Sequence, residues 1–510
     1  MTGTTGTQKS VAGRRTGGGR PRYKHVERGQ TVFRTVVIEE LIPAEHEARA
    51  IWEMTGRLDL GAYEAGVKAM EGVAGREPWD VRLLASLWIY AYSRGIGSAR
   101  EVARRCEHDP AFQWLTGLAR VNYHTLADFR VAHAGALGAL FAQVLGVLCA
   151  EGLVSMERVA HDGTKIQANA KGGSFRREET LRRHLAAARE QVAAMGDPRA
   201  DTTARQKAAQ ARAVRERTER LDRALGELET LRAGKTGAAA KAQARASETD
   251  PEARIMKMGN GGYAPGYNAQ ITTETSHGIV VGVGVSASAS DYGELTGAMK
   301  RVEENLGRKP GQALTDGGFT SRENIVAMAE AGVDLIGSLS ERSAQTEAQM
   351  RRRGVDEAFH PRAFTYDADS DQVRCPAGNT LRHDGKEQRP GVVIHQYRAR
   401  LADCAACPWK MRCCPGRQTK GRTFQRAEEA PAVRAFLEKM KTEAAKAAYR
   451  IRGAVAEFPN AWIKTKLGLR QFHVRGLAKA RSECLWACLT YNIQQWIRLC
   501  WRPRTDAVAA

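Results

Sequence analysis

Apolar side chains recur at spacings of three and four through Leu83, Leu84, Leu87, Trp88 and Tyr92, and the pattern runs from Glu39 to about Val154. Such spacing puts them on one helical face and predicts an all-α domain. The helices are short, broken at Gly95 and Gly97 and again at Asp109-Pro110, and NYHTLADFR supplies a further start. Arg94, Arg100, Arg104, Arg105 and Arg130 lie among them. Helices joined by glycine turns dock on DNA as helix-turn-helix modules do, and a bundle with a solvated basic face accounts for the same residues equally well.

Beyond Val154 the period changes. Val159 and Ala160 lead into a polar turn at Asp162-Gly163, read as the end of a short central strand, with an ordinary Asp-Gly turn as the plain alternative. From Arg176 to about Ala246 the composition shifts to Ala, Arg, Glu, Lys and Gln. Leu181, Leu185, Ala188, Val192 and Met195 step by four and three, a break falls at Gly196-Asp197-Pro198, and Val214, Thr218, Leu221, Leu225 and Leu228 repeat the stepping. Two amphipathic helices folded back as a hairpin, or joining a coiled coil, are expected there; dimerisation, DNA contact or neither would suit them. The β-branched runs YNAQITTE and GIVVGVGVSAS flank Ser276-His277-Gly278 and read as a hairpin. A helix from Leu295 to Leu306, a strand ending at Asp316, a helix from Ser321 to Ala331 and a strand in VDLIGSLS complete a mixed α/β sheet flanked by helices.

Between about Ala344 and Thr423 the chain is rich in Gly, Arg and Cys. Cys375, the C-x2-C pair Cys404 and Cys407, and Cys413 or Cys414 could bind structural zinc, which would order a segment too polar for its own core; reduced, packed thiols are the alternative. Cys413 is taken as the fourth ligand. The closing helical stretch contains YRIRGAVAEFPNAWIKTKLGLRQFHVR, where Glu457 stands among Arg452, Lys464, Lys466, Arg470 and Arg475, with Tyr449 and Trp462 interleaved. Glu457 and Lys464 are two helical turns apart and share a face, and Pro459 is expected to disturb the helix just beyond Glu457. Asp162, Asp316 and Glu457, gathered by folding, would make a divalent metal site beside a phosphate-backbone site. His161 adjoins it, in a structural or supporting role.

Length and charge narrow the function. A chain of 510 residues exceeds one usual core, and a net charge of +21 implies a polyanionic partner. No stretch approaches the roughly 20 apolar residues of a membrane span, so a cytoplasmic protein with no membrane partner is expected. Of the ten cysteines, Cys106, Cys149, Cys484, Cys488 and Cys500 fall in apolar helical patterns and read as reduced core residues.

These motifs, taken in order, resemble the DDE transposases of bacterial insertion sequences. Tyr449, Arg452, Glu457 and Lys464, followed by LGLRQFHVRG, resemble the Tyr-Arg-Glu-Lys signature; DGTKIQANA and TDGGF resemble the first and second aspartate motifs; WIYAYSRGIGSAREVARRCEHDPAFQWLTG is similar to the N-terminal helical domain, and the Cys-rich stretch to a four-cysteine element. The departures are four residues between Arg452 and Glu457, where three are usual, and Ala456 in place of a β-branched residue. The resemblance implies an RNase H-like fold, catalytic Asp162, Asp316 and Glu457 holding two Mg2+ ions, and DNA contacts from Tyr449, Arg452 and Lys464. Arg470 and Arg475 extend that basic surface. It further implies end cleavage and strand transfer on double-stranded DNA, terminal inverted repeats and target alike, by a homodimer associated with the nucleoid. An RNase H-like nuclease without strand transfer and an inactive DNA-binding relic or repressor are the alternatives. The domains expected are a disordered basic tail (1–28), a helical DNA-binding domain (29–155), a catalytic domain (156–343 and 424–500) interrupted by a helical insertion (176–250) and a Cys-rich insertion (344–423), and a tail (501–510).

Overall fold

A computed structural model describes residues 31, 33, 35–65, 77–194, 203–339, 342–416 and 419–502. The expected tail 1–28, Met195, the break at Gly196-Asp197-Pro198 and all of 501–510 but its first two residues lie outside them. The N-terminal region is helical as expected: α1 (Glu47–Gly56), α2 (Gly61–Glu64), α3 (Val81–Ser93), α4 (Ala99–His108), α5 (Pro110–Thr116), α6 (Tyr123–Ala132) and α7 (Ala134–Ala150). Side-chain caps set the starts, Asp80 accepting from the Arg82 N–H, Asp109 from Ala111 and Asn122 from His124. Helix α3 is buried at almost every position, so it is central rather than amphipathic.

The next segment forms β1 (Arg158–Gln167) and the short β2 (Phe175–Arg176), then α8 (Glu178–Ala194), α9 (Ala204–Ala233), α10 (Ala238–Ala242) and β3 (Ala246–Ser247), which pairs with β2. Helices α8 and α9 pack as the expected hairpin, closing Leu181, Leu185 and Ala188 on Leu221, Ala224 and Leu228. The main sheet is completed by β4 (Arg254–Lys257), β5 (Tyr263–Glu274), β6 (Val280–Ser286), then α11 (Leu295–Leu306), β7 (Gln312–Leu314), α12 (Arg322–Glu330) and β8 (Asp334–Ile336). Its order is β4-β5-β1-β7-β8 with β6 also paired to β5; β5 runs antiparallel to β1, β4 and β6, and β1, β7 and β8 run parallel.

Asp162 is not at a strand end. Strand β5 offers ladder partners as far as Gln167 opposite Gly266, so β1 continues through Asp162-Gly163 instead of turning. Strand β4 has no counterpart in the sequence reading; only Met256 of its four residues is buried, which leaves no alternating signal.

After α13 (Arg342–Arg352) the Cys-rich stretch builds an antiparallel sheet of its own, β9 (Thr365–Asp367), β10 (Gln372–Arg374), β11 (Thr380–Arg389) and β12 (Val392–Arg398), with α14 (Leu401–Ala405), α15 (Lys410–Cys413) and β13 (Thr423–Glu429). Phe364, Val373, Leu381, Tyr397, Ala399 and Cys404 close a separate core, which corrects the expectation that this segment is too polar to have one. Its last strand reaches Glu429, whose carboxylate takes two hydrogen bonds from Arg322 of α12, at 2.6 and 2.7 Å.

The chain closes with α16 (Pro431–Lys439), α17 (Glu443–Thr465) and α18 (Leu477–Leu499). Helix α17 runs unbroken through Pro459. Ala445, Ala448 and Ala456 pack it against Ala160, Leu314 and Ile336, and these small side chains let the helix lie close to the sheet. Helix α18 packs against α1, α3, α6 and α7 on one side and β6 on the other, so the N-terminal helices and the sheet share one core. Among the described residues no single helix is long and apolar enough to cross a membrane.

Candidate active site between the sheet and α17

Alternation along β1 sends Asp162 and Thr164 toward α17 and His161, Gly163 and Lys165 to the other face. Asp162 accepts the Gly163 N–H at 2.8 Å and the Asn460 side-chain amide at 3.1 Å. Burial pushes its carboxyl up to about 6; the Gly163 N–H opposes the shift, Asp316 adds to it, and Arg452 opposes it. Asp162, Asp316 and Arg452 therefore share one electrostatic neighbourhood although the chain separates them widely.

Asp316 follows β7 in a tight turn, where its carboxylate accepts the Gly318 N–H at 2.8 Å. A Cβ at Gly317 would stand 3.1 Å from the Ser338 carbonyl, and one at Gly318 3.1 Å from the Asp316 carboxylate, so both glycines keep the turn closed. On α17, Thr442 caps the start. The Arg452 guanidinium lies 5.7 Å from the Tyr449 ring centre, so part of that ring's face is already covered. Lys464 donates to the Thr164 hydroxyl; burial lowers its pKa and Asp162 pulls it back up. Glu457 is exposed and sits one turn before Asn460. Its carboxylate leans back over Gly453, where a Cβ would be 3.6 Å from it, and among the described residues it has no hydrogen bond or ion pair. Arg470 gives its carbonyl to the Gln167 N–H, and Arg475 donates to the Asn169 carbonyl at 3.2 Å.

The sequence reading missed Asp291. It lies behind Gly163, where a Cβ would stand 2.5 Å from its carboxylate, and it receives hydrogen bonds from Lys165 at 3.0 Å, Asn268 at 2.6 Å and Gln270 at 3.1 Å. Burial pushes its carboxyl up, but these donors outweigh burial and hold it below the usual range. Its only signal in the sequence is an acid in the polar loop SDYGEL. His161 is fully buried, bonded to Thr272 and Gln270 and edge-on to Phe319, which is a structural role. Arg130, grouped above with exposed basic positions, is buried too, lying over Trp88, donating to the Gly97 carbonyl and facing Glu483 at 3.6 Å. A guanidinium so enclosed is a packing element between α6 and α18.

Cys375, Cys404, Cys407, Cys413 and Cys414 all line one small cavity between the β10–β11 turn and α14–α15. The Arg422 N–H points at the Cys404 sulfur at 3.3 Å, and the sulfurs of Cys413 and Cys414 are 3.7 Å apart. Burial raises the Cys404 thiol. Among the described residues no three His, Cys, Asp or Glu side chains stand close enough, as they are, to share a metal ion.

Two segments match known families. Residues 374–497, from β10 through α18, match the model of the Transposase DDE domain, and residues 36–132, from the first helices through α6, match that of the Transposase domain (DUF772). Glu457 and the whole of α17 fall within the first match, whereas Asp162 and Asp316 lie between the two. No curated protein matches the chain, and no solved structure does. With transposase matches at both ends of one chain, and the sheet aspartates brought under the helix of the longer match, a DDE transposase family is the one these findings support.

Proposed function

We propose that the chain is the transposase of an insertion sequence, cutting DNA at the element's ends and joining the freed 3′-hydroxyl to target DNA. The observation behind this reading is the half-buried Asp162 carboxyl, raised by desolvation and by Asp316, under a helix that brings Asn460, Lys464 and Arg452 to it. A carboxyl whose proton affinity is raised by a second acid beside it is a natural seat for a cation. Antiparallel β6, β5 and β1 continued by parallel β7 and β8, with β4 added beside β5, support an RNase H-like layout.

Asp162 and Asp316 are the residues that would hold divalent ions, with Glu457, unpaired and directed over Gly453, as the third ligand. Oxygen donors of this kind suit Mg2+, which when bound lowers the pKa of water and neutralises a leaving oxyanion. Arg452 and Lys464 position the scissile phosphate, and the uncovered part of Tyr449 offers a stacking face. Around Cys375, Cys404 and Cys407 the donor type suits structural zinc, with Cys413 or Cys414 as the fourth ligand.

A supercoiled plasmid carrying the DNA that flanks the reading frame tests the proposal. Wild-type protein with Mg2+ is expected to give cut and joined products, and Asp162→Asn and Asp316→Asn to give neither. Products undiminished in Asp162→Asn would overturn it, and cut ends that are never joined would reduce it to a nuclease.

A further inference from the structure

Three arginines of the α8–α9 hairpin are neutralised in place, Arg182 and Arg232 by Glu178 and Arg189 by Asp222, and Arg254 on β4 at its base pairs with Glu227. Arg217, Arg220 and Arg223 follow one another at spacings of three along α9, and among the described residues none forms an ion pair. Each is tethered by one nitrogen to a neutral acceptor, Arg217 to the Gln191 side chain at 3.3 Å, Arg220 to the Glu248 carbonyl at 3.1 Å and Arg223 to the Glu219 carbonyl at 3.4 Å.

Arg475 joins this group from the other end of the chain. The segment after Glu248 ties the two places together, because Asp250 accepts the Gly476 N–H and Glu252 the Leu477 N–H. Burial, followed by the charge of Arg475 and then those of Arg223 and Arg217, lowers the Arg220 pKa, so these guanidiniums feel one another, with Glu216 as the counter-charge on α9. Asp250 also feels Arg475 but is buried and bonded to Tyr267. Holding like charges together costs stability that an anionic partner returns.

The group is continuous with the candidate active site. From Arg470 the chain runs beside the end of β1, Gln167 donating to the Arg470 carbonyl and Phe472 to the Gln167 carbonyl, until Arg475 reaches Asn169. From Asp162 to Gln167, five residues of β1 span about 16 Å at roughly 3.3 Å each, near half a helical turn of B-DNA. Arg470 in turn acts on Lys464.

We infer that the α8–α9 hairpin is a duplex-docking arm: Arg217, Arg220 and Arg223 with Arg475 hold backbone phosphates of double-stranded DNA about half a turn or more from the bond to be cut. The inference rests on the proposed function for the identity of its ligand, but it requires no catalysis. Phosphate contacts of this kind set register and affinity and carry no sequence information.

Fluorescence anisotropy of a labelled duplex of about three helical turns and arbitrary sequence, titrated with full-length protein in EDTA over a salt series, tests it. Removing one cation that neutralises a phosphate flattens the slope of log K against log salt by about 0.9, so Arg217→Gln/Arg220→Gln/Arg223→Gln is expected to flatten it by about 2–3 and Arg475→Gln, on a separate element, by about 1. Arg182→Gln, which breaks an existing ion pair, is expected to leave it unchanged. Slopes at the wild-type value in both the triple variant and Arg475→Gln, with unchanged melting curves, would overturn the inference. So would weakened binding that light scattering traces to loss of a dimer, which would make the hairpin a contact between copies. Wild-type protein that binds no duplex would overturn this inference and the proposed function together. If the variants behave as expected while the wild type neither cuts nor joins the plasmid, the arm stands and the catalytic reading falls.

Discussion

Asp162 is held in a state that suits a cation better than it suits the bare fold. Because its folded-state pKa is raised to about 6, the penalty is absent below the unfolded carboxylate pKa, grows as pH rises and is complete above about 6. Asp162→Asn is therefore expected to raise stability at pH 8 by up to about 2–3 kcal/mol, with most of the gain gone by about pH 4 and none left below the unfolded carboxylate pKa. Urea melts at the two pH values measure it, and an equal gain at both would contradict it. By the same linkage, millimolar Mg2+ is expected to raise the melting temperature of the wild type at pH 8 and to leave Asp162→Asn where it was. At this scale the sequence was informative about residue type and silent about setting. Asp162 and Asp316 stood in recognisable polar motifs, but nothing near Asp291 or Asn460 in the chain announces that they reach the same strand, since those contacts are made by pairing and packing at long range.

Among elements, α17 was legible because its signature is local: Tyr449, Arg452, Glu457 and Lys464 lie in one short stretch, and Glu457 and Lys464 fall two turns apart. The polar β1 was harder to read, because the reason it stays extended, a twelve-residue partner strand, lies about a hundred residues on. The Cys-rich segment was misread for a related reason. Its core is assembled from isolated apolar residues on separate short strands, none of which makes a periodic run. The five thiols converging on one cavity there lead to a prediction about metal. Purified protein is expected to hold about one zinc per chain, absent from Cys404→Ser, and chelation is expected to lower its melting temperature, since binding energy at such a site is folding energy. Protein that contains no zinc after expression in zinc-supplemented medium would count against the site.

For the whole molecule, the N-terminal helices form one body with the sheet. Glu483 on α18 is fully buried, accepts the His473 and Val474 N–H groups, bonds the His473 ring at 2.8 Å and faces the buried Arg130 of α6. Glu483→Gln leaves that guanidinium without its counter-charge and is expected to cost about 3 kcal/mol or more. A single calorimetric transition, moved to lower temperature as one peak, would bear this out; a shift confined to one of two separate peaks would show two independent bodies.

The burial of α3 and α7 against α18 also sets an order of events during synthesis. Leu87, Trp88, Leu145 and their neighbours leave the ribosome more than three hundred residues ahead of the helix that covers them. At about 5–20 residues per second that is on the order of half a minute of exposed apolar surface. A nascent chain of this design depends on being shielded until its last helix emerges, and a reading frame truncated before Leu477 is expected to yield aggregated rather than merely inactive protein.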